Sequence, residues 1–427
     1  MRCADEDNII SGKELLTKDG CSEHKGMDAC EKHRNSGEKK AYEAFYLDDK
    51  RMFQIANSFG SSLQMALDGV KAQNNMFIDT HVRIPRGITQ QGADEEKTVF
   101  VVDVGGTYLK TCLIRMHMSG EYSFAKDVEQ YAIPKMGAKD TSIWKWIADI
   151  IKEYLGECRL NEYVGAMTFS YAMAHESIGS GTVISCGKNF PFSKSDVVGC
   201  NPITAINNAC KSAGLRVTFR TLLNDTTATA LASLIKAEDT ILGIVLGTGT
   251  NGAVVVPDSE HDGLKIIDTE WGSYEHEAIS TTEFDREIMD EMRAQGINFN
   301  NLDVMIGGYK FVELVRRTCL AMGIRDYGDI QLEDLQGLLK RSISAGHELS
   351  AQERVVVRCM KAIKTRTSSI LASLVLGIVK TLKRNGMCTK KVTRLLALEG
   401  ISRDMVEWDF IAEASLVGSA YSIFLAR

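Results

Sequence analysis

The chain has 427 residues, of which 44% are hydrophobic and 25% charged, so it can bury a substantial core without disulfides and is long enough for roughly two or three domains. Its formal net charge is −6, which leaves no basic excess to neutralise a phosphate backbone and excludes the ordinary nucleic-acid binder. Its eleven cysteines are an odd number at no metal-ligand spacing, and they read as reduced thiols of a cytoplasmic protein.

Residues 1–45 are polar and charged, lack the apolar core of a signal peptide, and read as a flexible tail. Within 46–92, residues 53–77 suit a helix expected to pack on the larger lobe, and the chain then loosens around Pro85 and Gly87. Strands are expected at 98–104 and 111–118, on either side of Asp103-Val104-Gly105-Gly106-Thr107. A helix at 143–155 and a strand at 164–171 precede a long loop to Phe192. Residues 202–213 read as helix, and 217–223 as a strand ending at Asn224-Asp225. The second half repeats the theme. A helix at 226–237 leads to strands at 241–246 and 253–256 around Gly247-Thr248-Gly249-Thr250-Asn251-Gly252. Helices follow at 305–322 and 352–384, the second stopped by Asn385-Gly386. A last strand is expected at 392–398, ending at Glu399-Gly400. The longest apolar run, 370–379, is broken by Ser373 and Gly377 and is far short of the roughly 20 residues that span a bilayer. Two glycine-turn hairpins, each followed by further sheet and helix, point to two related α/β lobes.

The glycine turns carry the first chemical signal. Paired glycines let a backbone fold tightly and approach a phosphate with no Cβ in the way, and successive N–H groups in such a turn make an anion-binding concavity. Asp103 beside that concavity suits a cation, Mg²⁺ by preference, between carboxylate and phosphate. An ordinary hairpin uses the same residues, and each turn alone reads sooner as that. Asp225 opens a helix at the end of a strand. It reads either as an N-cap or as a general base pointing into the crevice where α/β sheets bind ligands. Glu270, in Asp268-Thr269-Glu270-Trp271-Gly272, is a candidate acceptor for sugar hydroxyls, and Lys188 gains meaning only with the rest. Two phosphate-sized turns with a strand-end carboxylate between them suggest a phosphotransferase that pins a nucleotide between hairpins.

With these motifs in order, the chain resembles the eukaryotic hexokinase family, within the actin-like sugar kinases. The resemblance runs from about Phe53 to the C-terminus and includes Thr80-His81-Val82-Arg83-Ile84-Pro85-Arg86-Gly87, Thr168-Phe169-Ser170-Tyr171, Gly187-Lys188-Asn189-Phe190, Leu223-Asn224-Asp225-Thr226 and Ile306-Gly307-Gly308-Tyr309. It implies two ribonuclease-H-like (actin-like) lobes with a central crevice. The small lobe would span 93–223 with a C-terminal helix at 412–427, and the large lobe 224–411. It implies transfer of a phosphoryl group from ATP, with Mg²⁺, to the 6-hydroxyl of a hexose, glucose foremost. Asp225 would be the base and Lys188 a second catalytic group. Ser170, Lys188, Asn224, Asn251, Glu270 and Asp303 would hold the other hydroxyls. Gly105, Gly106, Thr107 and Lys110 would meet the nucleotide from one lobe, and Gly247, Thr248, Gly249, Gly400 and Ser415 from the other side. Asp103 would hold the metal.

The chain departs from that pattern in places. Lys110 stands for the usual arginine, keeping the charge but losing the bidentate fork. Gly187 stands for a threonine, Ala172 for a proline and Asp303 for a longer glutamate. Glu399-Gly400-Ile401 lacks the expected serine, a strand is missing between Trp408 and Ser415, and the nucleotide segment near 327–335 is absent. These departures thin the adenine side and leave a second reading open: a sugar-binding regulator that keeps the fold and has weakened nucleotide binding.

Overall fold

A computed structural model describes residues 42–70, 76–90, 95–134, 141–186, 190–324, 329–343, 348–387, 392–393, 406–407 and 411–426. Strands β2 (Glu96–Val104) and β3 (Tyr108–His117) run antiparallel about the first glycine turn, and β4 (Tyr122–Ala132) continues the meander. β5 (Tyr163–Phe169) pairs in parallel with β2, and β8 (Val217–Leu223) in parallel with β5. The result is a five-stranded sheet in the order β4-β3-β2-β5-β8. Parallel neighbours need long crossovers, and α2 (Ile143–Leu155) and α3 (Pro202–Ser212) supply them.

β2 is buried from Val99 through Val102 without alternation, because both of its faces are covered. Phe100, Val102 and Val104 pack with α2 and α3. Val99 and Val101 pack instead with α4 (Asp225–Leu234) and with α10 (Ala414–Ser422) at the other end of the chain. α4 and α10 cross closely because their contacts are small: a Cβ on Gly418 would stand 1.8 Å from the Ala228 carbonyl oxygen.

The second sheet is four-stranded. β9 (Leu242–Leu246), β10 (Thr250–Pro257) and β11 (Gly263–Asp268) form an antiparallel meander, and β1 (Ile78–Pro85) adds to the far edge of β11. Behind it lies the largest core, built from α1 (Asp49–Leu67), α5 (Glu283–Ala294), α6 (Asn301–Ile306), α7 (Phe311–Ala321), α8 (Leu332–Ile343) and α9 (Ala351–Arg384). α9 is apolar and long enough to cross a membrane by length and composition, but 67% of its most apolar window is buried inside the molecule. Its apolar residues are spent on the protein's own core. Arg366, in the middle of α9, is buried and pairs with buried Asp285 at 2.5 Å.

Several local expectations hold to within a residue or two, among them α2, β8 and α9, the last opened by a capping box between Ser350 and Glu353. Others are corrected. The helix expected at 53–77 runs from Asp49, capped by Asp48, and ends at Leu67. The stretch that loosens around Pro85 is a strand in its first part, β1. The single helix expected at 305–322 is two, α6 and α7, parted at Gly307-Gly308. β4, β11, α5, α8 and the hairpin of β6 (Met173–Ser177) with β7 (Ser180–Val183) were not anticipated. β4 gave no signal because most of its residues are exposed on both faces. Of the strand expected at 392–398, Val392–Thr393 forms β12, which pairs in parallel with β13 (Val406–Glu407); the remainder lies outside the described residues, as do residues 1–41. The cysteines among the described residues are free thiols.

Candidate active site

One cleft of about 480 Å³ is lined by both glycine turns and by Asp103, Lys110, Ser170, Asn224, Asp225, Asn251, Glu270 and Asp303. In the first turn, the Gly105 N–H donates to the Tyr108 carbonyl at 3.0 Å and closes the bend. The hairpin register sets Asp103 opposite Lys110, and the parallel neighbour sets it beside Thr168. Asp103 Oδ1 accepts from the Thr168 hydroxyl at 2.5 Å and Oδ2 from the Ser415 hydroxyl at 2.8 Å.

The second turn is held from below. Thr250 N–H donates to Asp303 Oδ1 at 2.8 Å, Gly308 N–H to the Gly247 carbonyl at 2.7 Å, and Tyr309 N–H to the Thr248 carbonyl at 3.0 Å. This explains the break between α6 and α7. A Cβ on Gly307 would lie 2.7 Å from the Thr248 oxygen, and one on Gly308 2.9 Å from the Gly247 oxygen, so only glycines let the backbone come this close. The two turns meet at their tips, where Thr107 Oγ1 and Thr248 Oγ1 share a hydrogen bond of 2.9 Å.

Between the turns, Asn224 caps α4, its Oδ1 accepting from the Thr226 N–H at 2.9 Å. Asp225 is therefore the first helical residue and not the N-cap. Its Oδ1 accepts from the Thr226 N–H at 2.8 Å and hydroxyl at 3.2 Å. Across the cleft, Asp268 Oδ1 accepts from Asn251 Nδ2 at 2.7 Å and from the Glu270 N–H at 3.3 Å. Glu270 takes a left-handed backbone (φ 46°), and the next residue, buried Trp271, donates from Nε1 to Thr250 Oγ1 at 3.0 Å. Asp268 thus fixes the Asn251 side chain and the Glu270 backbone. The sequence marked it only as the start of a motif; its position at the last residue of a strand, two before Glu270, was the available signal.

The charges act on one another. Burial pushes the Asp103 carboxyl up to about 6, and the nearby charge of Asp225 adds to this against the pull of Thr168, Ser415 and Lys110. Burial also raises Asp268 well above the usual carboxylate range, again with help from Asp225 and against its bonds from Asn251 and Glu270. Carboxyl groups thus crowd one another here, and no group of three or more acidic, histidine or cysteine side chains is placed to hold a metal ion among the described residues. The oxygens of Asp103, Thr168 and Ser415 are of the kind that a hard divalent cation takes.

Three of the expected roles change in detail. Lys110 does not stand free for phosphate: its ammonium lies 2.7 Å from Glu413 Oε2. Ser415 spends its hydroxyl on Asp103. Asp303 spends Oδ1 on the second turn and accepts at Oδ2 from Asn300 Nδ2 at 3.1 Å, so it supports the turn as well as lining the cleft. Lys188 and Gly400 lie outside the described residues. Glu413, Asn298 and Asn300 were not singled out by the sequence; the two asparagines line the cleft.

Residues 38–235 match one family model described as hexokinase, and residues 241–326 match a second. The chain belongs to the eukaryotic hexokinase family. Among hexokinases, it is similar to Hexokinase-9 of Oryza sativa subsp. japonica, with 23% identity over 393 residues covering 81% of this chain and 76% of the relative. It is 25% identical to Hexokinase-4 of Arabidopsis thaliana over 379 residues, 78% of this chain and 70% of that one. The hexokinase from Schistosoma mansoni complexed with glucose matches with a TM-score of 0.66 at 18% identity, covering 84% of this chain and 88% of that one. At that identity the likeness is one of fold, the two-lobed actin-like fold of sugar kinases.

Proposed function

We propose that this hexokinase-family chain transfers the γ-phosphoryl group of ATP to the 6-hydroxyl of glucose or a related hexose. The observation that carries the reading is the single cleft lined by both glycine turns, by Asp225 and by the polar set Asn251, Glu270 and Asp303. Phosphoryl transfer needs mainly positioning and charge neutralisation, with one acceptor for the nucleophile's proton.

Asp225 is that acceptor. Its Oδ1 is held by Thr226, and among the described residues nothing hydrogen-bonds Oδ2, which takes the proton of the 6-hydroxyl. The N-terminal end of α4 stabilises the carboxylate before the transfer. Asn224, Asn251 and Glu270 orient the other hydroxyls, the last two held by Asp268. Thr107 and Thr248 bond the phosphoryl oxygens from opposite sides, and Lys110 neutralises charge from the first turn. Asp103, with the hydroxyl oxygens around it, would hold Mg²⁺, which supplies further neutralisation of the transferring group. Closure of the cleft around the sugar excludes water as a competing nucleophile.

A second reading, a sugar-binding regulator with weakened nucleotide binding, draws on the pairing of Lys110 with Glu413. Formation of hexose 6-phosphate from ATP, Mg²⁺ and glucose, measured for the chain and for Asp225→Ala, separates the two. On the kinase reading kcat falls by about 10²–10⁴ in the variant while glucose still binds. Glucose binding without turnover in either protein supports the regulator; equal turnover in both removes Asp225 as the base.

A further inference from the structure

Lys110 lines the cleft, and its ammonium is held from behind. Nζ lies 2.7 Å from Glu413 Oε2, with the two side chains 29% and 32% exposed. Glu413 immediately precedes α10 and has φ 52° and ψ 35°, a left-handed backbone that is costly for any residue with a Cβ. A residue in that place ordinarily caps the helix with its side chain, and Glu413 makes no such bond. What the strained position delivers is a carboxylate against Lys110. Two residues further on, Ser415 donates to Asp103, the cross-strand neighbour of Lys110. Glu413 and the first turn of α10 therefore hold both charged residues at the base of the first glycine turn.

Resting on the reading of this cleft as the phosphoryl-donor site, we infer that Glu413 is a built-in anion that occupies Lys110 until a polyphosphate displaces it, and so sets the affinity for the donor. A carboxylate and a phosphate cannot both sit on one ammonium without repelling each other. The polyphosphate carries the greater charge, and Glu413 is exposed enough to turn out to solvent. Glu413 is not among the residues that line the cleft, so sugar binding is indifferent to it.

The test is calorimetric titration of the full chain with the Mg²⁺ complex of a non-hydrolysable ATP analogue, and separately with inorganic tripolyphosphate and with glucose. Two variants separate charge from backbone: Glu413→Gln removes the charge alone, and Glu413→Gly also relieves the left-handed strain. Melting curves check that both are folded. Both variants are expected to lower the Kd for each polyphosphate by about three- to tenfold and to leave the Kd for glucose unchanged. In a Lys110→Met background Glu413→Gln should bring no gain. A folded Glu413→Gln with unchanged or weaker polyphosphate binding overturns the inference and leaves the kinase reading standing, as does a gain that persists in the Lys110→Met background. If neither the natural chain nor any variant binds either polyphosphate, the donor-site reading falls and this inference with it.

Discussion

Thr107 Oγ1 and Thr248 Oγ1 stand 2.9 Å apart although 141 positions separate them in the chain. Each hydroxyl sits at the tip of a glycine turn, and the two turns come from different sheets. The contact sets how closely the two turns approach each other. On the proposed reaction both hydroxyls exchange this bond for phosphoryl oxygens. Thr248→Val should therefore raise the KM for ATP by an amount worth about 0.5–1.5 kcal/mol, with glucose affinity unchanged. Steady-state kinetics and glucose calorimetry read the two quantities. A variant with altered glucose affinity and unaltered ATP dependence would contradict the assignment.

Gly307 tests how the second turn is supported. A Cβ there would lie 2.5 Å from the Asp303 carbonyl oxygen and 2.7 Å from that of Thr248. Gly307→Ala should cost about 1–3 kcal/mol in urea unfolding and raise the KM for ATP more than that for the sugar. Gly337, in α8, meets only the Arg341 guanidinium at 4.0 Å, so Gly337→Ala is the control and should be neutral or slightly stabilising. Equal losses in both variants would show that the turn contact is not what matters.

The raised carboxyls predict a pH dependence of stability. Asp103 titrates near 6 in the folded protein, above its ordinary value, and Asp268 is raised in the same direction. Between the unfolded and folded pKa values the folded state binds more protons, so this contribution is fully present at acid pH and is lost as the pH rises through the folded values. Asp268→Asn keeps an oxygen to accept from Asn251 and the Glu270 N–H but carries no charge. Its stability relative to the natural chain, read from melting curves, should climb as the pH rises from 4 to 8, by about 1.4 kcal/mol per pH unit at the steepest. A difference that stays flat across that range would show that Asp268 is not strained by its burial.

Arg366 is the one charged side chain in the large core's central helix that must be satisfied without water. It bonds Asp285 through both terminal nitrogens, at 2.5 and 3.0 Å, and donates to the Met305 carbonyl at 2.6 Å in α6, the helix that carries Asp303. Arg366→Ala strands a buried carboxylate and should cost about 3–5 kcal/mol by urea unfolding. A loss below about 1 kcal/mol would mean that water or a neighbour replaces the arginine.

Local patterns were the legible part. Asn224-Asp225 after an apolar run marks the end of β8 and the start of α4, and Asn385-Gly386 marks the end of α9, because caps act within a few residues. β11 was missed even though Asp268 closes it, and β4 because exposed strands carry no alternation. The break at Gly307-Gly308 could not be seen either. Its cause is a pair of carbonyls at Gly247 and Thr248, distant in the chain, that claim the N–H groups of Gly308 and Tyr309.

By itself the sequence determined that two glycine turns lie between apolar strands, with a carboxylate at a strand end between them, since turn geometry and apolar patterning are short-range properties. Only the tertiary structure decided what each charged side chain faces. Lys110 meets a carboxylate 303 positions away, and Asp103 shares its oxygens between a neighbouring strand and the last helix. Such pairings depend on how two sheets and a C-terminal helix pack around α4, and that packing is set by buried surface across the whole chain.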